Sequence, residues 1–386
     1  MMLINRSGSL VLTFLSLYLT QELEMSKYAA GIVISFYGIG SLAGSFLGGW
    51  LADQFGNFKV MFFSLLLGGI SLFGMLYITE FYLICFWIFI CATILDALRP
   101  ALWAEVGQRS EDANVTRAVS LIRMALNLGV FIGPAVGGMI AYHFGYDWLF
   151  IIDGLTCISA GIFLWFMLNP KKEKISAEVE DVPKVKGKNP YLDFHYVVFL
   201  FFNLIALSAF FQIIFAIPVY FKEVFGLNEA MVGWFLAANG LTIFIFEMPI
   251  IYYIEKTKAT FKPMIIGYFM IAISFLVLWA VVHPLAAIII FLLFNCFGEI
   301  ISFPFISTIS IRRADEASLG NYMGATTVLF SLAIIISPLI GLPVVDLIGY
   351  DNYWIFSFAI VTIGVIGIRW TQAKFEEATS LTTHEV

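Results

Sequence analysis

The amino-acid sequence predicts an all-α integral membrane protein with twelve transmembrane helices in two pseudo-symmetric six-helix bundles. Of its 386 residues, 61% are hydrophobic and 12% are charged, whereas a soluble protein keeps about a quarter of its residues charged. Several apolar runs reach the roughly 20 residues that a helix needs to cross a bilayer. These runs are continuous rather than alternating, which argues against a transmembrane β-barrel. The third observation is a repeat between the two halves of the chain.

Hydropathy and helix-breaking residues define the order of the transmembrane segments. The segments cover residues 2–20, 29–52, 60–78, 82–104, 118–142, 148–168, 196–220, 230–254, 264–282, 284–306, 321–345 and 353–370. An even number of spans puts both termini on the same side. Lys27 and Lys222 are the only basic residues in the loops on one face, and most of the 21 lysines and arginines lie on the other. By the positive-inside rule that second face, with both termini, is cytoplasmic.

One long polar stretch divides the segments into two groups of six. It predicts an N-terminal bundle, a cytoplasmic linker, a C-terminal bundle and a cytoplasmic tail over residues 1–168, 169–195, 196–370 and 371–386. The two bundles repeat at an offset of 204 residues, which aligns "GPAVGGMIAYHFGYD" (133–147) with "SPLIGLPVVDLIGYD" (337–351) and Pro100 with Pro304. Repeated six-helix halves are how many secondary transporters build a cavity that opens alternately to each face.

Two glycine-rich motifs mark the first half of the chain. The sequence "GGWLADQFGNFK" lies between segments 2 and 3, and "GVFIGPAVGG" lies in segment 5. Through them the chain resembles the major facilitator superfamily over essentially its full length, and in particular its bacterial drug/proton antiporter-like branch. The first motif departs from the family's loop signature at Gln54 and Phe58 and fits it at Gly49, Asp53, Gly56 and Lys59. The second motif fits the family's antiporter signature at Gly129, Gly133, Pro134, Gly137 and Gly138.

The resemblance implies a role in gating for both motifs. Gly49 would allow two helices to approach closely, while Asp53 would complement the positive end of a helix in the other half and Lys59 would supply a counter-charge. The alternative for this motif is a solvated loop with a turn glycine. The second motif would seal segment 5 against the other half, although ordinary packing of small residues explains the same pattern.

Ionisable residues inside the apolar segments are the strongest functional signal, because such groups are costly in a membrane and usually mark proton or substrate paths. Asp96 and Arg99, at positions i and i+3 in the sequence "ILDALRPALWAEV", can pair on one helix face. The other charges are basic in the first half and acidic in the second: Arg6, Arg123, Glu247 and Glu299. We expect proton coupling through at least one of the three carboxylates, with a released arginine engaging a glutamate across the halves. A purely structural pairing of Asp96 with Arg99 remains open.

Two further expectations concern single positions. Asp153 opens segment 6 and is expected to be an exposed cap near the outer surface. Arg6 lies only a few residues from Met1, whereas the family places this arginine near the middle of helix 1. The natural start of the protein is therefore expected upstream.

These features predict a secondary active transporter in the cytoplasmic membrane of a bacterium, most directly a proton-coupled exporter of a small amphipathic compound. A proton symporter for an anionic metabolite or peptide is the alternative, because the basic cluster of Arg6, Arg99 and Arg123 could hold a carboxylate or phosphate. A membrane sensor that moves nothing is a third possibility. No nucleotide-binding motif, catalytic triad or metal-ligand pattern is present, so no enzymatic activity, cofactor, metal or nucleic acid is expected. The expected partners are a small-molecule substrate, protons and the lipid bilayer, around a monomer.

Overall fold

The computed structural model describes residues 5, 10–109, 115–167, 189–257, 259–314 and 318–383, and these residues are predominantly helical. The helices of the first half are α1 (Val11–Leu17), α2 (Lys27–Phe55), α3 (Asn57–Gly74), α4 (Phe81–Asp96), α5 (Leu98–Arg109), α6 (Val115–Phe144) and α7 (Asp147–Met167). Those of the second half are α8 (Phe194–Phe210), α9 (Ala216–Glu223), α10 (Glu229–Glu255), α11 (Phe261–Ala280), α12 (Pro284–Arg313) and α13 (Leu319–Thr383).

The helices coincide with the predicted segments, with local breaks. A π-helical turn, Tyr18–Glu22, extends α1, and a 3₁₀ turn, Phe211–Ile213, separates α8 from α9. Among the described residues, nine helices are long and apolar enough to cross a membrane, one of them the long run Asn321–Phe375. The all-helical membrane fold is therefore confirmed, while the count of twelve spans and the orientation of the termini stay predictions.

Two glycines at equivalent positions of the repeat form turns, one at the end of α6 and one in the middle of α13. Gly145 has φ +91° and Gly349 has φ +74°, a left-handed conformation that glycine adopts without steric cost. Gly145 lies between α6 and α7, and Gly349 interrupts α13 with non-helical dihedral angles. The "GYD" pattern that aligned the two halves thus marks the same kind of helix break twice.

The chain divides into two compact units that do not follow its two halves. The first unit contains Met1–Val179, Ile213–Leu241 and Pro338–Pro343, and the second contains Glu180–Gln212, Thr242–Ser337 and Val344–Val386. Thus α9 and the beginning of α10 belong to the same unit as α1 to α7. The division of the chain into bundles at residues 168 and 196 stays a prediction.

Small residues bring the helices of the first unit into backbone contact. In α2, glycines recur every fourth residue, so they lie on one face. A Cβ at Gly40 would lie 2.4 Å from the carbonyl oxygen of Phe89, and one at Gly44 would lie 2.3 Å from that of Thr93. Only glycine permits this separation between α2 and α4, as in other membrane helix pairs with small residues at their interface.

The second unit uses the same device between α11 and α12. A Cβ at Gly267 would lie 2.5 Å from the carbonyl oxygen of Gly298, and one at Gly298 would lie 2.7 Å from that of Gly267. Deeper in this unit the hydroxyl of Tyr268 donates to Asn203 Oδ1 at 2.9 Å, and Asn203 is fully buried. These contacts fix the face of α12 that carries Asn295 and Glu299.

Candidate functional site

Asp96 and Arg99 lie at a break between two helices. Pro100 has no N–H, so it cannot donate to the carbonyl of Asp96 four residues earlier. The helix consequently ends at Asp96, passes through Ala97 and restarts at Leu98. In this geometry Arg99 Nε lies 2.9 Å from Asp96 Oδ1, as the i, i+3 spacing predicts.

The two partners of this ion pair have very different environments. The Asp96 side chain is 7% exposed, and its Oδ2 accepts no hydrogen bond from the part of the chain that the structure describes. The Arg99 side chain is 45% exposed. A guanidinium in an apolar segment is tolerated when it reaches water in the protein interior or at an interface. The pair therefore joins a buried carboxylate to a half-exposed cation.

A cavity of about 50 Å³ opens beside Asp96 within the first unit. Its wall is formed by Asn5 and by residues of α1, α2, α3, α4, α5 and α7, and the polar groups on it include Tyr37, Asp96, Arg99 and Asp153. A site of this size and polarity can hold water. Water there would lie beside Asp96, which forms part of the wall.

Asp153 is not the exposed cap that the sequence predicts. It is 7% exposed, and its Oδ2 accepts hydrogen bonds from the backbone N–H groups of Leu10 and Val11 at 3.2 and 3.3 Å. The prediction is wrong because position 153 lies in the second turn of α7, where Gly154 packs against Gly69 of α3. That close packing turns Asp153 toward α1 rather than toward the membrane surface.

The antiporter-type motif in α6 packs against the beginning of α10, which belongs to the second half of the sequence and to the first unit. A Cβ at Gly233 would lie 2.3 Å from the carbonyl oxygen of Pro134, and one at Gly138 would lie 2.4 Å from that of Glu229. Gly137 faces the other way, toward Phe14 of α1. Gly138 belongs to the motif that the sequence predicts to pack closely. Its partner Gly233, in "MVGWF", belongs to no motif that the sequence showed. Gly129 and Gly133 lie further back on α6.

A cluster of charged side chains lies at the same end of the first unit. The Tyr146 hydroxyl donates to Glu229 Oε1 at 2.8 Å, and Lys222 also pairs with this carboxylate. Burial, followed by the neighbouring charge of Glu229, raises the pKa of Tyr146, so its hydroxyl stays protonated and donates. Nearby, Lys27 pairs with Glu223 at 2.9 Å. The Tyr146–Glu229 hydrogen bond and the Lys27–Glu223 pair join residues from the two halves of the sequence, at the end predicted to face outward.

The loop motif differs in detail from its predicted geometry. The close approach is made by Gly48, where a Cβ would lie 2.4 Å from the carbonyl oxygen of Ala97, while a Cβ at Gly49 would meet only Pro100 at an ordinary 3.9 Å. Gly56 ends α2 at φ +89°, which explains its place in the motif. Asp53 and Lys59 are exposed on either side of this turn. Their gating role stays a prediction.

The remaining predicted charges lie in the second unit or outside the described side chains. Glu247 and Glu299 are half-buried on α10 and α12, in the second unit. Arg6 lies outside the described residues, and Arg123 belongs to α6 but its side chain is not described. The four cysteines are buried as free thiols. Among the described residues, no group of three or more His, Cys, Asp or Glu side chains is arranged to hold a metal.

The second unit contains a carboxylate–guanidinium pair that the sequence did not predict. Arg313 donates to Asp193 through Nε at 2.8 Å and through Nη2 at 3.1 Å. The Tyr322 hydroxyl and the Tyr196 N–H donate to the same carboxylate at 3.0 and 3.3 Å, and the guanidinium lies over the ring of Phe375. The repeat offers a weak signal for this pair, since Arg313 lies 204 residues after Arg109.

Comparison with known proteins identifies the family. Residues 2–338 match the model of the Major Facilitator Superfamily. The chain is 24% identical over 352 residues to the MFS-type transporter YttB of Bacillus subtilis, covering 89% of this chain and 86% of the relative. It is 23% identical over 403 residues to a Na⁺, Li⁺, K⁺/H⁺ antiporter of Planococcus maritimus, covering 93% and 91%. A solved peptide transporter of the POT type has a similar fold, with a TM-score of 0.77 at 17% identity over 97% of this chain and 92% of that one. A helical membrane chain with this repeat and this match over most of its length belongs to the Major Facilitator Superfamily of transporters.

Proposed function

We propose that this protein is a proton-coupled secondary transporter that exports a small amphipathic compound across the cytoplasmic membrane of a bacterium by alternating access. The observation that carries the proposal is Asp96, a buried carboxylate that lines a polar cavity and has one oxygen without a described hydrogen bond. A charge in this position is expensive, and its cost is removed when a proton binds. Protonation of Asp96 also breaks the ion pair with Arg99, so the guanidinium can bind a new partner.

The direction of transport rests on a different set of residues. Gly138 and Gly233 hold α6 and α10 in contact, and the Lys27–Glu223 pair and the Tyr146–Glu229 hydrogen bond join the two sequence halves at the predicted outer end. Exporters and importers both pass through a state closed at the outer end, so the feature that favours export is the antiporter-type motif of α6 that forms this contact. The relative named as an antiporter supports the exchange of a proton for the exported compound.

The predicted arrangement in the membrane follows from the charge distribution. The abundance of Lys and Arg on one face supports cytoplasmic termini, and the Bacillus relative supports a bacterial cytoplasmic membrane. We further propose that the protein works as a monomer, because each helical bundle of a transporter of this kind contributes half of one central cavity.

Proton-driven uptake of an anion is the second candidate. Its supporting observation is the exposure of Arg99, whose guanidinium is available to hold a carboxylate. The solved peptide transporter with the same fold is consistent with this reading, although fold alone does not assign a substrate. The two candidates differ in the direction in which substrate moves relative to the proton.

Dye extrusion from efflux-deficient bacterial cells tests the proposal, with several lipophilic cations as probes. We expect extrusion by the wild type to stop on addition of a protonophore, and to be lost in Asp96→Asn or in Glu299→Gln. Asp351→Asn is the matched control, because Asp351 is an exposed carboxylate beside the turn at Gly349. If folded wild-type protein extrudes no dye but accumulates a labelled dipeptide under an inward proton gradient, the export proposal is wrong and the symport candidate replaces it.

A further inference from the structure

An apolar groove lies between α2, α3 and α4 in the first unit, and its volume is about 390 Å³. All three helices are long and apolar enough to cross a membrane. Four large side chains of the wall are between 47% and 56% exposed: Leu47, Phe55, Phe63 and Leu67. Contiguous exposed apolar side chains of this kind mark a membrane-contacting surface. The groove therefore opens toward the acyl chains of the bilayer.

One end of the groove carries a positive charge. Lys59 forms part of the wall, its side chain is exposed, and it makes no ion pair with the residues that the structure describes. Asp53, the nearest acidic residue along the chain, lies outside the wall. Lys59 is the third residue of α3, whose start has no side-chain cap, so the positive end of the helix dipole lies at the same turn.

The rest of the groove extends away from this charge. Leu67 lies eight residues after Lys59 on the same helix, which is about 12 Å along the helix axis. Apart from Lys59, the polar residues of the wall are Ser64, which is buried, and Thr93, whose hydroxyl donates to the carbonyl oxygen of Phe89 at 2.8 Å. The groove thus combines a cationic end with an apolar length.

This combination matches a phospholipid with an anionic head group. Lipid tails are as apolar as the wall, so the apolar contact alone selects no particular lipid. The selecting contact is the ammonium of Lys59 with the head-group phosphate, a charge-assisted hydrogen bond. Basic pockets between membrane helices on the cytoplasmic side bind anionic head groups in this way. The positive-inside rule places Lys59 on that side.

We propose that this groove binds an anionic phospholipid of the cytoplasmic leaflet, with the phosphate at Lys59 and one acyl chain along α3. The wall also contains Ala97, the residue at the break between α4 and α5, beside Asp96. A bound acyl chain packs against this break and supports it from the lipid side. Binding of the lipid goes beyond the proposed function, whereas its effect on transport rests on that function.

Native mass spectrometry of the full chain in detergent tests the binding, with phosphatidylglycerol and phosphatidylcholine of identical acyl chains as probes. We expect the wild type to retain phosphatidylglycerol preferentially. Lys59→Gln should weaken that binding about fivefold, the contribution of one lysine near a membrane surface, and should leave phosphatidylcholine unchanged. Lys262→Gln is the matched control, because Lys262 is an exposed lysine in the first turn of α11 and lies outside the groove.

A second variant tests the apolar part of the groove without changing its charge. Leu67→Trp fills part of the groove with a larger side chain and should reduce the retention of phosphatidylglycerol. Leu67 is 47% exposed, so the larger ring does not enter the packed core. Ile70→Trp is the control of equal size, on an exposed position of the same helix that lies outside the groove. It should retain as much lipid as the wild type.

Three results would overturn the inference. The first is equal retention of phosphatidylglycerol by the wild type and Lys59→Gln. The second is an equal loss in Lys59→Gln and Lys262→Gln, which would indicate general surface charge. The third is displacement of phosphatidylglycerol from the wild type by a lipophilic cation, which would make the groove a site for transported compounds.

Transport in vesicles separates this inference from the proposed function. The wild type should transport faster in vesicles that contain phosphatidylglycerol than in vesicles of phosphatidylcholine alone, and Lys59→Gln should not gain from the anionic lipid. A difference between the wild type and Lys59→Gln that is the same in both vesicles would assign Lys59 to gating and contradict a lipid effect. Absence of all proton-driven transport would contradict the proposed function, while mass spectrometry still decides whether the lipid binds.

Discussion

Among the described residues, each of the two units contains one carboxylate–guanidinium pair, and the pairs differ in how completely the carboxylate is satisfied. Asp193 accepts two hydrogen bonds from Arg313, one from Tyr322 and one from a backbone N–H. Asp96 accepts one described bond from Arg99, and its other oxygen has no described partner.

This difference distinguishes a structural ion pair, Asp193–Arg313, from the pair that we propose takes part in proton coupling, Asp96–Arg99. Because both oxygens of Asp193 accept hydrogen bonds, its ionised form is the stable one. Burial raises the pKa of Asp193, but the hydrogen bonds from Arg313, Tyr322 and Tyr196 and the charge of Arg313 lower it by more, so the net pKa lies below the usual range. A carboxylate that has an oxygen without a hydrogen bond can instead bind a proton without breaking a hydrogen-bond network. The contrast predicts that changes at Asp193 alter folding, whereas changes at Asp96 alter transport.

The largest effect on stability is expected for Asp193→Asn. The substitution removes the charge from a mostly buried pair and weakens the cap at the start of α8, so the free energy of unfolding should fall by about 2 kcal/mol. Asp96→Asn is the matched comparison and should cost less than about 1 kcal/mol, since its half-exposed arginine keeps its water. Denaturation in detergent micelles measures both. Equal losses would remove the distinction between the two pairs.

The second effect is the pH dependence of the contribution that Asp193 makes to stability. Because its folded pKa is lowered, its contribution is fully present above the unfolded value of about 3.9 and is lost as the pH falls through the folded pKa. The stability difference between the wild type and Asp193→Asn should therefore be constant from neutral pH down to about pH 4.5, and shrink below it. A difference that already shrinks between pH 7 and pH 6 would show that another group controls it.

The smallest effect is expected from replacing the guanidinium by an ammonium. Arg313→Lys loses the bidentate geometry and the contact of the guanidinium with Phe375, 4.6 Å from the ring centroid. It should cost about 1 kcal/mol. Arg99→Lys keeps a single ionic contact and should change the free energy of unfolding by only a few tenths of a kcal/mol. Thermal shifts of the two variants, measured side by side, check the order; a larger loss for Arg99→Lys would reverse the comparison.

The sequence alone determined the features that depend on neighbouring residues. Apolar runs predicted the helices, and the i, i+3 spacing predicted the Asp96–Arg99 pair. The break after Asp96 was not predicted within segment 82–104, although the proline that causes it is local. The repeated "GYD" aligned the two halves, and its two glycines form left-handed turns. These features follow from hydropathy, from a missing N–H and from helix periodicity, which act within a few residues.

Only the tertiary structure decided which distant residues meet. Nothing near Asp153 in the sequence indicates that its carboxylate caps α1, and nothing near Gly233 marks it as the partner of Pro134 and Gly138. Asp193 and Arg313 lie 120 residues apart, in stretches that read as loop ends. Such contacts depend on which face of each helix turns inward, and an apolar helix in a membrane shows little amphipathic signal by which to read that face. The helices are therefore predictable from the sequence, while the buried polar contacts between them are set by packing.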